Sequence, residues 1–288
     1  MAITSELIRD LREKSGAGMM DCKKALEETA GDMEAAADWL RQKGIVKAAK
    51  KADRVAASGL VSAVACDDFA CILEVNAETD FVAKNEKFQD LVSLIADRTI
   101  QHEGDFESTN SGVRDEITNA IATIGENLAL RRIAKVSGDA VYTYVHNAIR
   151  AGMGQIAVAV AFNGDKAKLD EIGPKIAMHI AANKPEFMTI SDVNPESVER
   201  EKKIFIESGA TAGKPEMVVE KMVSGRISKY YAESVLEEQP FIMDTSKTVK
   251  AVVAEQGGKL AGFACYVLGE GIEKKADNLA DEVEKLLK

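Results

Sequence analysis

The chain has 288 residues, of which 46% are hydrophobic and 29% charged, so it is long enough to bury a substantial core in two or more domains. Its net charge of −10 at pH 7 repels phosphate backbones and anionic lipid surfaces, and we expect no direct nucleic-acid ligand. The chain has no apolar run near the ~20 residues of a membrane span and no signal-like N-terminus, so we expect a cytoplasmic protein without a membrane partner.

The first 44 residues carry three short amphipathic patterns, which predict a compact three-helix bundle. Thr4 and Asp32 are candidate N-caps of the first and third helices, Gly16 breaks the first, and Gly44 is expected to close the third.

Met19 and Met20 are adjacent on the second predicted helix and point about 100° apart, so one of them should be exposed. An exposed methionine near Lys23 would suit an adaptable docking surface, although both methionines could equally be core and boundary residues. Residues 47–57 form a basic, alanine-rich stretch that we interpret as a partly helical connector. Its lysines form a solvated face or meet an acidic partner.

Beyond Gly59 the pattern changes to strands over 60–65 and 69–75, which favour a hairpin, followed by a helix with apolar residues from Phe88 to Ile95. The same order returns with strands over 141–146 and 155–162 and a helix from Leu169 to Ile180. A helix ending at Ile124 and a strand over 128–136 lie between. The sequence therefore predicts an α+β fold whose core has two similar α+β subdomains with antiparallel sheets.

Residues 183–238 read as an inserted helical arm, with helix starts at Pro195 and Pro215. The arm is either structural or a surface for self-association. After it we expect a helix over 246–255, a strand over 260–268 and a C-terminal amphipathic helix over 277–287, which docks on its own protein or on a partner.

A carboxylate and a large aromatic stand side by side at the predicted strand-to-helix corner over 78–85, as Asp80 and Phe81. No histidine or cysteine nearby pairs with a hydroxyl, and no cluster has metal-ligand spacing. The three histidines fall in separate elements. We therefore expect no enzyme activity, no cofactor and no metal. The alternatives are a small-molecule enzyme, which turnover of a substrate would favour, and an adaptor that uses the N-terminal bundle to bind a peptide or ubiquitin.

Several stretches, taken in order, resemble the bacterial translation elongation factor Ts family, the guanine-nucleotide exchange factors for elongation factor Tu. The resemblance runs essentially end to end, through residues 11–26, 47–51, 78–85, 124–127, 214–215, 240–241, 246–249 and 267–274.

The resemblance implies a ubiquitin-associated-like bundle with its connector over 1–54 and core subdomains over 55–140 and over 141–182 with 239–268. It also implies a dimerisation arm over 183–238, hence a possible homodimer, and a C-terminal module over 269–288. Elongation factor Tu, GDP-bound and nucleotide-free, is the implied partner. The resemblance also implies two sets of site residues. The residues that dislodge magnesium from the partner are Thr79, Asp80, Phe81 and Val82. The residues that bind the partner are Met19, Met20, Lys23, Ile124 and Gly125.

The chain departs from the family pattern after Tyr144 and His146, where glycine is common and this chain has Asn147 followed by seven residues up to Gly154. We therefore interpret His146 as a polar residue at a sheet edge.

Overall fold

The computed structural model describes residues 3–273, so the C-terminal helix expected over 277–287 lies outside the described residues. The chain divides into two compact units. Of the described residues, 3–62, 73–133 and 267–273 belong to the first unit, and 63–72 and 134–266 belong to the second. None of the helices within residues 3–273 combines the length and the apolar character of a membrane span.

The N-terminal bundle forms as predicted, from helices α1 (Ser5–Ser15), α2 (Met19–Glu28) and α3 (Met33–Ala49). The Thr4 hydroxyl accepts from the backbone N–H of Leu7, and Asp32 caps α3 in the same way. Gly16 ends α1 in the left-handed conformation. The bundle core consists of small and medium apolar side chains that are fully buried, namely Leu11, Cys22, Ala25, Leu26 and Ala36.

The prediction that Gly44 closes the third helix was wrong. Helix α3 continues to Ala49, because Gly44 lacks the positive φ of a terminating glycine and lies buried, where its hydrogen faces Ala122 of a later helix.

The rest of the first unit contains four helices: α4 (Asp80–Ala83), α5 (Glu86–Gln101), α6 (Phe106–Gly112) and α7 (Arg114–Ile124). Helix α6 is absent from the sequence-based prediction. Strands β1 (Ser58–Ala65), β2 (Phe69–Ala77), β3 (Leu128–Ser137) and β5 (Met153–Gly154) form one sheet in the order β3-β2-β1-β5. The predicted hairpin is confirmed as β1 and β2, joined by a turn in which Cys66 N–H donates to the Phe69 carbonyl at 2.8 Å.

The buried carboxylate of Glu74, in β2, holds the chain segment over residues 267–270. Glu74 is fully buried and accepts hydrogen bonds from Arg131 at 3.0 Å, from Arg132 at 2.6 Å and from Gly269 N–H at 2.8 Å. Burial alone would raise the pKa of Glu74, but the hydrogen bonds from Gly269, Asn76 and Arg132 outweigh it and lower that pKa. The side chain is therefore charged, and its partners fix residues 267–270 against β2 and β3.

The second unit has a three-stranded sheet in the order β4-β6-β9, made of β4 (Ala140–His146), β6 (Ile156–Asn163) and β9 (Lys259–Val267). Strands β4 and β6 are antiparallel, with Ala140 opposite Phe162 and His146 opposite Ile156. Helices α8 (Lys166–Leu169), α9 (Gly173–Asn183) and α12 (Val249–Glu255) contribute the rest of this core, whose fully buried members include Phe162, Leu169, Ile176, Ile180 and Val249.

Two local predictions in this unit were wrong. The single helix expected from Leu169 to Ile180 is broken into α8 and α9, because Pro174 has no backbone N–H to continue a helix from α8 and is favoured in the first turn of a new one. Gly173 beside it leaves room for the Tyr142 ring, since a Cβ there would lie 2.2 Å from that ring. The helix expected over 246–255 begins only at Val249. Residues 244–248 form β8 (Asp244–Thr248), which pairs with β7 (Pro240–Phe241), and the Thr248 hydroxyl then caps α12.

The inserted arm consists of α10 (Pro195–Glu207) and α11 (Glu216–Ser234). Proline starts α10 behind the N-cap Asn194, as predicted, while Pro215 occupies the N-cap position of α11. Backbone hydrogen bonds between residues 186–188 and 234–237 close the base of the arm, and Arg226 Nε donates to Glu201 at 2.7 Å between the two helices.

Candidate functional site

The corner between β2 and α4 presents two side chains to solvent and buries the next two. Phe81 is 77% exposed, although an aromatic side chain of its size is usually covered in a folded protein. Asp80 beside it is exposed, whereas Val82 and Ala83 are only 5% and 6% exposed. Of the four residues predicted to act on magnesium, Val82 therefore anchors the corner, and only Asp80 and Phe81 are fully presented.

Two carboxylates hold this corner to the turn after α7. Glu126 accepts from Thr79 twice, from the backbone N–H at 2.9 Å and from the hydroxyl at 2.7 Å. Glu78 accepts from the Asn127 backbone N–H at 2.6 Å. Each segment thus supplies a carboxylate to the other, and the corner and the turn form one structure.

The same turn holds the connector that follows the N-terminal bundle. Lys51 Nζ donates to the Gly125 carbonyl, and Asn127 Nδ2 donates to the Arg54 carbonyl at 2.8 Å. The Arg54 guanidinium in turn approaches Glu78 at 3.4 Å. Three of the sequence motifs, over 47–51, 78–85 and 124–127, are therefore brought together with the connector residues that follow the first of them.

The predicted docking residues of the bundle lie at its surface. Met19 and Met20 are 56% and 77% exposed, so both methionines are exposed, where the sequence required only one. Lys23 lies one turn later on α2, with its side chain half exposed and its ammonium 3.8 Å from Glu27. This loose pair is compatible with a charged contact to a partner, because exposed ion pairs of this kind contribute little energy.

Ile124 and Gly125 end α7 next to the corner. Ile124 is half-buried, and Gly125 is exposed in the left-handed conformation with φ of +88°, where its N–H donates to the Ile121 carbonyl. A residue with a side chain is strained at this φ, so the turn that carries Glu126 and Asn127 depends on the glycine.

His146 lies in the second unit, at the end of β4, which is an edge strand of the three-stranded sheet. Its ring is exposed, and its Nδ1 lies 3.1 Å from the Tyr144 hydroxyl. The expected position of His146 at a sheet edge is confirmed.

The polar groups at the corner are arranged to hold the backbone. Within residues 3–273 no group of three histidine, cysteine or acidic side chains has the geometry to bind a metal ion. The carboxylates of Glu78 and Glu126 are occupied by the hydrogen bonds described above, so the chemistry that remains at the surface is one carboxylate and one aromatic ring.

Sequence reasoning missed the roles of Glu78, Glu126, Asn127 and Lys51. All four stand inside the motifs that it singled out, but the contacts span 47 residues between Thr79 and Glu126 and 74 between Lys51 and Gly125. Spacing along the chain carries no signal for contacts of that range.

Comparison with known proteins gives a consistent result over nearly the whole chain. A family model described as elongation factor TS matches residues 78–270. The elongation factor Ts of Hyphomonas neptunium is 50% identical over 297 residues, which cover 99% of this chain and 98% of that protein. The elongation factors Ts of Paracoccus denitrificans and Rhodospirillum centenum are 50% and 47% identical over 291 and 302 residues, with the same coverage of both chains.

Proposed function

Because this chain belongs to the elongation factor Ts family, whose members are nucleotide-exchange factors in translation elongation, we propose that it binds GDP-bound elongation factor Tu and accelerates the release of GDP. It then holds the nucleotide-free partner until GTP binds. The cytoplasm, where elongation takes place, is its proposed location. The observation that supports this function best is the exposed pair Asp80 and Phe81 on a corner held by two carboxylates.

An exchange factor needs no nucleophile or acid, but it must bind the nucleotide-free GTPase more tightly than the GDP-bound one. Coupling is reciprocal, so a factor that weakens GDP binding has its own binding weakened by GDP to the same extent. A change of about 10⁴ corresponds to about 5.5 kcal/mol of differential stabilisation. Burial of one phenylalanine supplies only about 1.5–3 kcal/mol, so Phe81 cannot supply the whole difference.

The remainder comes from the partner's magnesium site and from contacts over a wider surface. In P-loop GTPases the ion bridges phosphate oxygens and protein side chains, so its loss weakens nucleotide binding. Asp80 acts there by hydrogen bonding and by changing the local field, because one carboxylate by itself is a poor magnesium site. Phe81 enters the partner as a wedge, while Thr79 and Val82 keep the corner in shape.

The N-terminal bundle supplies affinity in this proposal. Met19 and Met20 offer adaptable apolar contacts, and Lys23 offers a charge. Ile124 and Gly125 add contacts beside the corner. The bundle's part of the binding surface is thus separate from the side chains that drive GDP out.

Stopped-flow release of a fluorescent GDP from elongation factor Tu tests the function. The native chain is expected to accelerate release, and Phe81→Ala and Asp80→Ala are each expected to slow it at saturating factor and varied magnesium. Since both groups act on one pocket, the double variant should be less impaired than the sum of the single effects. Met243→Ala, which removes a side chain that is 56% exposed elsewhere, is the matched control and should release GDP at the native rate.

The same assay separates an exchange factor from an adaptor, the alternative that the exposed methionines favour. An adaptor binds the GTPase and leaves GDP release unchanged. For the exchange factor, Met19→Ala with Met20→Ala should raise the half-saturating concentration by at least tenfold and leave the maximal rate within about twofold, because two exposed anchors contribute affinity. Native release rates for both Phe81→Ala and Asp80→Ala, with intact folds, contradict the proposed mechanism.

A further inference from the structure

Thr79 has the residue type and the backbone conformation of a helix N-cap, yet it does not cap its helix. Its φ of −124° and ψ of 159° are those of a cap in front of α4, but its hydroxyl makes no bond to an N–H of that helix. Thr4 and Thr248, at the same position of α1 and α12, both make the cap bond. Thr79 therefore contributes no cap bond to α4, and its hydroxyl donates a hydrogen bond to Glu126 instead.

Glu126 uses both carboxylate oxygens on this one residue. Oε2 accepts from the Thr79 backbone N–H at 2.9 Å, and Oε1 accepts from the Thr79 hydroxyl at 2.7 Å. Two bonds from one planar group fix orientation as well as distance, and charge-assisted bonds are stronger than neutral ones. The residue held in this way stands immediately before Asp80 and Phe81.

The turn that carries Glu126 is itself held on both sides. The carbonyl of Gly125, before Glu126, accepts from Lys51. Asn127, after Glu126, donates from its side chain to the Arg54 carbonyl and from its backbone N–H to the Glu78 carboxylate at 2.6 Å. A side chain positions another group well only when its own support is fixed. The turn after α7 meets that condition.

We propose that Glu126 is a positioning residue for nucleotide exchange, which acts through Thr79 to hold Asp80 and Phe81 in the orientation that enters the partner. The proposal rests on the proposed exchange function. If the exposed corner became ordered only during binding, the loss of conformational entropy would reduce the binding free energy that Asp80 and Phe81 contribute. Because the bonds from Glu126 already order the corner in the unbound factor, binding does not carry this entropic cost.

The expected effect is on the maximal rate of stimulated GDP release, with affinity preserved. Glu126→Ala should lower the rate at saturating factor by about tenfold, because small displacements of a positioned group have effects of this order or larger. The half-saturating concentration should stay within about twofold, since the bundle surface is untouched. Glu126→Gln, which keeps one acceptor oxygen, should be intermediate.

A variant at the other end of the clamp tests the same contact. Thr79→Val keeps the backbone N–H and loses the hydroxyl, so it should resemble Glu126→Gln, whereas the control Met243→Ala, outside the clamp, should behave like the native chain. In a background that already carries Asp80→Ala and Phe81→Ala, Glu126→Ala should produce no further loss, because the groups that it positions are absent.

Amide hydrogen exchange of residues 79–83 in the unbound factor tests the clamp without the partner. Faster exchange in Glu126→Ala, with the rest of the chain unchanged, supports it, and unchanged exchange overturns it even if the native chain fails to release GDP. A native maximal rate in Glu126→Ala overturns the positioning role. So does an equal loss in the doubly substituted background, which would mean that Glu126 acts on the partner directly.

Discussion

Phe81 and Val82 are neighbours on one short helix with opposite surroundings, and this contrast separates function from stability at the scale of single residues. Phe81 is 77% exposed, so Phe81→Ala should change the free energy of unfolding by less than about 0.5 kcal/mol. Val82 is 5% exposed, and Val82→Ala should lower that free energy by about 1–3 kcal/mol, because buried methyl groups and packing are lost. Urea unfolding of both variants checks the contrast. A large destabilisation by Phe81→Ala would show that the ring is part of the core.

His179 is a second residue whose surroundings set a measurable property. It is fully buried, lies 2.8 Å from Gln239 through Nε2, and accepts the Ile242 backbone N–H at 3.2 Å through Nδ1. Burial lowers the pKa of His179, and this effect outweighs the hydrogen bond that Nε2–H donates to the Gln239 side-chain oxygen, which by itself would raise that pKa. The folded state therefore keeps the ring neutral at a pH where the unfolded state already binds a proton.

The sign of the pH dependence follows from that difference. Stability should be insensitive to His179 above the unfolded pKa of about 6.5 and should fall as the pH drops below it, by at most about 1.4 kcal/mol per pH unit. Urea unfolding at pH 7.5 and 5.5 measures the effect. In His179→Gln, although the variant is less stable overall, this part of the pH dependence should be lost, whereas His146→Gln at an exposed position should keep it. Equal pH dependence in the native chain and in His179→Gln contradicts this account.

At the scale of elements, two glycines that look alike in the sequence differ in what they allow. Gly44 has no positive φ, and a Cβ there would lie 3.5 Å from the Cβ of Ala122, an ordinary contact. Gly44→Ala should therefore stabilise the protein by about 0.5–1 kcal/mol through helix propensity. Gly59 has φ of +122°, and a Cβ there would lie 2.2 Å from the Val75 carbonyl oxygen. Gly59→Ala should destabilise it by at least about 1–3 kcal/mol. Melting temperatures of the two variants that shift in the same direction would refute this distinction.

Helix ends show which features of the elements the sequence could predict. The cap bonds of Thr4 and Asp32 connect residues two or three positions apart, so residue type and spacing were enough. In α3, Gly44 packs against Ala122 of α7, and in α9 the Tyr142 ring leaves no room for a side chain at Gly173. The strand over 244–248 depends on pairing with Pro240 and Phe241. The first two involve residues distant in sequence, which local patterns do not report, whereas the strand over 244–248 pairs with residues only three to eight positions earlier.

The candidate site shows the same limit. The corner, its exposed pair and the family resemblance were accessible from the sequence because they lie in contiguous motifs. The clamp from Glu126 to Thr79 was not, since a threonine before a helix predicts a local cap and the actual partner is 47 residues away. The sequence thus located the residues that we propose to act and left out those that hold them in place.

At the scale of the whole molecule, the arm carries apolar surface that its own fold does not cover. Helix α10 has no buried residue, and in α11 only Ser234 is buried. Four apolar side chains on or beside these helices are instead markedly exposed, namely Ile204, Ile206, Met217 and Val218. The two helices are held together by the ion pair between Arg226 and Glu201 and by the backbone hydrogen bonds at the base of the arm. These contacts leave the four apolar side chains exposed. A second copy of the chain is the partner that the family resemblance implies for it.

We expect the arm to mediate homodimerisation, and substitution of its exposed apolar residues to test this without deleting an element. Ile204→Lys with Met217→Lys should convert a dimer into a monomer in sedimentation velocity at micromolar concentration, because each buried apolar side chain contributes about 1.5–3 kcal/mol to association and a buried lysine opposes it. The fold should persist, as both positions are exposed in the single chain. Met243→Lys, at a methionine outside the arm that is 56% exposed, should remain dimeric. GDP release at saturating factor should be unchanged in the monomer, because Asp80, Phe81 and their clamp lie outside the arm. A native chain that sediments as a monomer at high concentration contradicts this assignment of the arm.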